Sequence, residues 1–285
     1  MRRFLSMLVF SMVASLAFGQ LKPNRVEGRC TAEMVQNLSL PCSTDEPCPL
    51  FLEIAAAEAV SQRIVLSGTL HTGSHTVESL LLVSDDGGRT WAEATARIPS
   101  AVLDQIQFID FETGWINGHI LQTTPKDAFF LLTTDGGKTW RRRPVTSESR
   151  TGAVDRFWFD SKNHGMLALD RVRAAENGFR YELWESQTAG ESWSVRQVDS
   201  KPVPFQPPTR EALLRIRTDS PSKTHRLERR ENNRWVAVAS FLTSAGECKP
   251  PQAEVDKAAE PPPEPPTQVE APQPGPKKPP TLRRP

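Results

Sequence analysis

Past residue 48 the chain alternates short apolar runs with polar, glycine-bearing breaks, a rhythm that suits strands better than helices. The runs fall into sets. The first is Leu50–Ile54, Arg63–Leu70, Glu78–Ser84 and Trp91–Arg97. The second is Gln105–Ile109, Trp115–Gln122, Ala128–Thr134 and Trp140–Val145. The third is Val154–Phe159, Gly165–Val172, Phe179–Ser186 and Trp193–Val198. A weaker fourth holds Ala212–Thr218, Thr224–Arg230 and Arg234–Ser240. The stretch "EIAAAEAV" (53–60) also fits a helix, and residues 30–48 look irregular.

The breaks explain the sets. "LLVSDDGGRTW" and "LLTTDGGKTW" share the spacing Ser/Thr-x-Asp-x-Gly-x-Thr-Trp, carried by Ser84, Asp86, Gly88, Thr90 and Trp91, then by Thr133, Asp135, Gly137, Thr139 and Trp140. A short carboxylate can accept N–H groups across a tight turn, and glycine supplies the backbone angles. The Trp then opens the returning strand with a large ring to bury. A degenerate third copy, "SQTAGESW", keeps Ser186, Gly190, Ser192 and Trp193 but has Thr188 in place of the Asp. The copies begin 49 and 53 residues apart, and a second marker, Phe108-x5-Gly114 and Phe159-x5-Gly165, recurs at an offset of 51. Two markers in step define a repeat. Trp235 falls 42 residues after Trp193 and ends a fourth unit that has lost the box. Four short antiparallel strands per roughly 50 residues is what a propeller blade needs.

Composition changes the picture at both ends. Arg2, Arg3, an uncharged run from Phe4 to Phe18, and small residues Ala17 and Gly19 read as a signal peptide at 1–19, cut before Gln20; an uncleaved anchor is the alternative. Four cysteines suit an oxidising compartment. Of the three pairings, the favoured one joins Cys42 to Cys48 locally and Cys30 to Cys248 as a long-range staple; a zinc site competes, but the spacing matches no metal pattern well. From Pro250 onward the chain holds 13 of its 25 prolines and no aromatic residue, so 249–285 is expected to be a disordered tail. The organisation is then signal peptide 1–19, an irregular Cys-containing segment 20–48, a repeat domain 49–248 and the tail. A net charge of +1 gives no field for nucleic acid.

The boxes resemble the Asp-box, or BNR repeat, of sialidases and related β-propellers. Phe108, Asp110, Gly114-Trp115 and Gly118, followed by "TTDGGKTW", are similar to the photosystem II stability and assembly factor family. The resemblance covers roughly residues 50–200 and implies a β-propeller; with the four strand sets, the expectation is an all-β, β-propeller-like domain of about four blades, each a four-stranded antiparallel sheet. It also implies that the boxes brace hairpins at the rim, away from the ligand face, so Asp86 and Asp135 are structural. Family propellers have six or seven blades; this chain has room for four or five, as a small ring, an open stack, or a ring completed by a second subunit.

Candidate chemistry is sparse. The sialidase resemblance would need a Tyr nucleophile and three arginines around a carboxylate; the one tyrosine, Tyr181, sits in an ordinary strand, and the "ARIP" containing Arg97 follows its box instead of preceding it. His71 and His75 lack an obvious third metal ligand. Basic residues remain as partner-binding candidates: Arg141, Arg142 and Arg143 after the second box, and Arg215 and Arg217, which alternate with Leu214 and Ile216 and so share one strand face. They suit an acidic protein or a membrane surface. The expectation is an exported, periplasmic or extracellular, non-catalytic binding or assembly scaffold, without cofactor or metal, serving a membrane complex as the photosystem II factors do. The alternatives are a sialidase-like hydrolase or glycan-binding propeller, and a structural envelope protein acting through its tail.

Overall fold

In the computed structural model the described residues are 21–173 and 178–249. The expected signal peptide and the proline-rich tail beyond Lys249 lie outside them. All described residues fall in the first of two compact units, Met1–Pro251.

Among the described residues one short helix, α1 (Ala32–Asn37), is followed by sixteen strands in four antiparallel sheets. The first sheet contains β1 (Cys48–Val60), β2 (Arg63–His71), β3 (Thr76–Ser84) and β4 (Ala92–Glu93). The second is β5 (Ala101–Phe108), β6 (Gly114–Leu121), β7 (Pro125–Thr133) and β8 (Arg141–Pro144). The third is β9 (Ala153–Phe159), β10 (Gly165–Asp170), β11 (Tyr181–Ser186) and β12 (Ser194–Asp199). The fourth is β13 (Leu214–Asp219), β14 (Thr224–Glu231) and β15 (Arg234–Leu242). Central strands such as β2 and β3 are buried on both faces and carry short apolar runs, Ile64–Leu66 and Leu80–Val83, whereas the last strands β4, β8 and β12 are largely exposed and polar. The architecture is all-β and propeller-like, with four blades.

Two local readings change. Residues 53–60 do not form a helix: β1 runs through them, because an antiparallel ladder with β2 along the whole stretch outweighs the helix propensity of alanine. The strand count is not four in every blade. The last strand, β16 (Ser244–Cys248), leaves the fourth sheet and pairs with the start of β1, Cys48 opposite Cys248. The first sheet thus has five strands and the fourth three. At the other terminus, Asn24 donates its N–H to the Ser240 carbonyl and accepts from Leu242 N, lying parallel beside β15. Among the described residues, β16 thus extends the first sheet and Asn24 adds a bridge to the fourth. The disulfide Cys30–Cys248 reinforces this exchange, and Cys42–Cys48 closes a local loop at the start of β1.

Apolar clusters form three seams. One joins the fourth and first sheets with Val26 and Leu40 of the N-terminal segment; a second joins the first and second sheets; a third joins the second and third, where Trp115 stacks on Phe159 at 3.7 Å. Among the described residues no such cluster joins the third sheet to the fourth. The connection between these two runs over 200–213, about twice the length of those at 94–100 and 145–152. It crosses the axial side: Val203 is buried, Arg156 Nη1 reaches the Phe205 carbonyl at 3.5 Å, and Arg210 lies 4.3 Å over the Trp158 ring while donating to the Phe108 carbonyl at 3.0 Å.

Candidate functional site

The three boxes are the hairpin turns β3–β4, β7–β8 and β11–β12. In the first, Ser84 Oγ donates to Asp86 Oδ1 at 2.8 Å and accepts from Gly88 N at 2.8 Å. Asp86 Oδ1 accepts from the N–H groups of Arg89 and Thr90, and its Oδ2 from the Thr90 hydroxyl. Trp91 Nε1 donates to the Gly88 carbonyl at 3.0 Å. Thr133, Asp135, Gly137, Thr139 and Trp140 repeat the pattern bond for bond. Both carboxyls are held below their ordinary range. At Asp86 the largest cause is the Thr90 N–H bond. At Asp135 partial burial works against the charge, but the bonds from Thr139, Thr133 and Lys138 outweigh it and hold the group at about 2.

Each box also reaches a neighbouring blade. Trp91 packs edge-on against Phe241 of the fourth sheet at 5.1 Å, and Trp193 stacks against Phe130 of the second at 5.1 Å. Trp140 meets Phe108 of its own sheet edge-on at 6.0 Å, while Arg63 of the first sheet donates to the Gly136 carbonyl at 2.8 Å. The carboxylates face their own turns, so the boxes brace the seams.

The structure separates the arginine candidates into two groups. Arg141 and Arg143 both bridge to Glu191 in the third box, Arg141 at 2.8 Å, and Arg142 lies 4.1 Å over the Phe129 ring. These three tie the second blade to the third and to itself. Arg215 and Arg217 stand on the face of the fourth sheet that turns away from the first. Arg215 pairs with the buried Glu228 at 2.6 Å and lies 4.4 Å over Trp235. Directly opposite Arg217 on β14 stands Arg226, which pairs with Asp219 at 3.2 Å; Arg230 on the same face pairs with Glu211. Arg217 is exposed and has no partner among the described residues. Sequence spacing flagged Arg215 and Arg217 but missed Arg226 and Trp235, because the register that brings them together belongs to two hairpins.

The catalytic alternatives find little assembled chemistry. Arg97 is nearly buried and held by Glu78, by Glu93 at 2.8 Å and by the Glu27 carbonyl at 3.0 Å. Tyr181 is half-buried with Arg180 5.1 Å over its ring, and Arg180 is itself paired with Asp170. His71 Nδ1 bonds the Thr72 carbonyl and His75 bonds Ser74. Among the described residues no group of three or more potential ligands could hold a metal, and no helix is long and apolar enough to cross a membrane. Glu58, near the axis, has its carboxyl pushed up by burial, with the charge of Arg210 pulling it back. A hollow of about 500 Å³ between the second and third blades is walled by Arg150, Trp184, Glu191 and Trp193. Another of about 610 Å³ lies beside the exposed Phe111, with Arg63 and Lys138.

No protein-family model matches the chain, and no curated protein matches it. Several solved structures are similar. YCF48 bound to D1 peptide is similar over 67% of this chain and 56% of its own, at 16% identity and a TM-score of 0.38. The GH74 xyloglucanase from Xanthomonas campestris is similar over 47% and 19%, at 16% identity and 0.35. The Penicillium chrysogenum alpha-L-arabinanase complexed with arabinobiose is similar over 66% and 60%, at 13% identity and 0.36. The matched region thus spans less than two thirds of each of these three. These comparisons overturn the expectation that the chain is non-catalytic. Most of the similar structures are enzymes, an ulvan lyase and arabinofuranosidases among them, so propeller architecture is no sign that a chain is not an enzyme.

Proposed function

We propose that this chain is an exported protein-binding scaffold that serves an assembly in the cell envelope. One observation carries the reading: among the described residues three blade seams are packed with apolar side chains, and the fourth is not. The third and fourth sheets therefore each keep a face that a closed propeller would bury against its neighbour. Two disulfides support an oxidising compartment. The box resemblance to photosystem II assembly factors supports a membrane complex as the client. The test is to crosslink and co-purify the mature chain from its native envelope, beside a version ending at Lys249. One envelope protein recovered with both versions is the expected result. Recovery with the full chain alone moves binding to the tail, and recovery with neither overturns the scaffold.

A further inference from the structure

We infer that the outward face of the fourth sheet is a docking site for an acidic, extended segment of a partner protein, with Arg217 and Arg226 clamping one of its carboxylates. This rests on the scaffold reading and names its site and partner class.

Residues opposite one another across a strand pair share a face. The register pairs Arg215 with Glu228 and Arg217 with Arg226, so Arg215, Arg217, Arg226, Glu228 and Arg230 project together. The opposite face, through Leu214, Leu227, Ala239 and Phe241, is packed in the seam with the first sheet. Glu228, Asp219 and Glu211 each answer one arginine. That leaves four guanidiniums against three carboxylates, and the surplus falls at one place. Arg217 stands directly across from another arginine with no acid of its own. Like charges directly opposed on a sheet are destabilising, and an anion laid over both relieves the repulsion. Trp235, under Arg215, and Leu213, 57% exposed just before β13, add apolar surface further along the same face, beyond the Arg215–Glu228 pair. A basic pair with an aromatic ring and an aliphatic side chain further along the same face fits an extended peptide that carries an acid a few residues from an apolar one. A bilayer is the poorer fit. Attraction to anionic lipid sums over many uncompensated charges, and this face has a surplus of one.

The test uses the full chain and a fluorescent peptide of alternating glutamate and alanine, read by anisotropy at low and high salt. The wild type is expected to bind, more weakly as salt rises. Arg217→Glu should weaken binding about tenfold or more, since it removes half the clamp and repels the ligand. Arg217→Gln should fall between the two. Lys138→Glu, the same charge change on the second box, should bind as wild type does. Circular dichroism and urea midpoints confirm that the variants fold. Equal binding by wild type and Arg217→Glu overturns the assignment. So does Arg217-dependent binding to phosphatidylserine vesicles without binding to the peptide. Envelope capture separates the two readings. A partner captured undiminished by Arg217→Glu leaves the scaffold standing and removes this face as its site. No partner with wild type removes the scaffold reading, and the peptide result still decides the face.

Discussion

The second and third boxes fold alike with different chemistry at their centre. In the second, Asp135 gathers two N–H groups and two hydroxyls on its two oxygens. In the third, Thr188 has one oxygen for the task. Its hydroxyl accepts from Ser192 N at 2.9 Å and meets the Ser192 hydroxyl at 2.8 Å, while Glu191 N turns to the Thr188 backbone carbonyl at 3.0 Å. Two features are unchanged. Ser186 Oγ accepts from Gly190 N at 2.9 Å as Thr133 Oγ1 does from Gly137 N, and both glycines have left-handed φ, 86° and 82°. The turn's shape therefore follows from the leading hydroxyl and the glycine, and the carboxylate contributes stability to a shape already set. The loss shows at the Trp: Trp140 Nε1 donates to the Gly137 carbonyl at 3.1 Å, whereas Trp193 Nε1 is buried without a partner.

Four measurements would break or sharpen this contrast. The largest effect is expected from Asp135→Ala, which strands several donors and should lower the unfolding free energy by about 2–3 kcal/mol, against about 1 kcal/mol for Thr188→Ala; urea midpoints decide it. Equal losses would mean the carboxylate does no more than the hydroxyl. Next comes pH. Because the folded-state carboxyl of Asp135 lies near 2, below its ordinary 3.8, its stabilisation is fully present above about pH 4 and is lost as pH falls through about 2. Unfolding of Asp135→Asn should therefore depend less steeply on pH across that window than unfolding of the wild type. A smaller effect is expected from Thr188→Asp, which restores the second oxygen and should stabilise by about 1 kcal/mol near neutral pH, read as a higher urea midpoint. The smallest difference is between the tryptophans: Trp140→Phe loses a hydrogen bond worth about 1 kcal/mol that Trp193→Phe does not, so the second should be milder in thermal melts.

The boxes were legible because each is local: four or five residue types at fixed spacing make the turn without help from the rest of the chain. The two disulfide pairs were legible because few cysteines leave few pairings. What escaped depends on partners far away in sequence. "SAGEC" has no strand rhythm, yet becomes β16 because β1 offers it an edge. "EIAAAEAV" reads either way until β2 lies beside it. The three arginines after the second box look like a free basic patch, and Glu191, 48 residues beyond Arg143, takes two of them. That no apolar cluster among the described residues joins the third sheet to the fourth leaves no mark on periodicity at all, since both sheets have ordinary strands.

The exchange of chain ends sets an order of events. Residues of the first blade are synthesised early, but the edge of β1 stays uncovered until Ser244–Cys248 emerges, and Cys30 must wait across a separation of 218 residues for Cys248. Contacts that remote form slowly and leave an unpaired strand edge exposed in the meantime. A chain that stops short of residue 244 therefore lacks more than a tail: its oldest sheet is unfinished and Cys30 is unmatched.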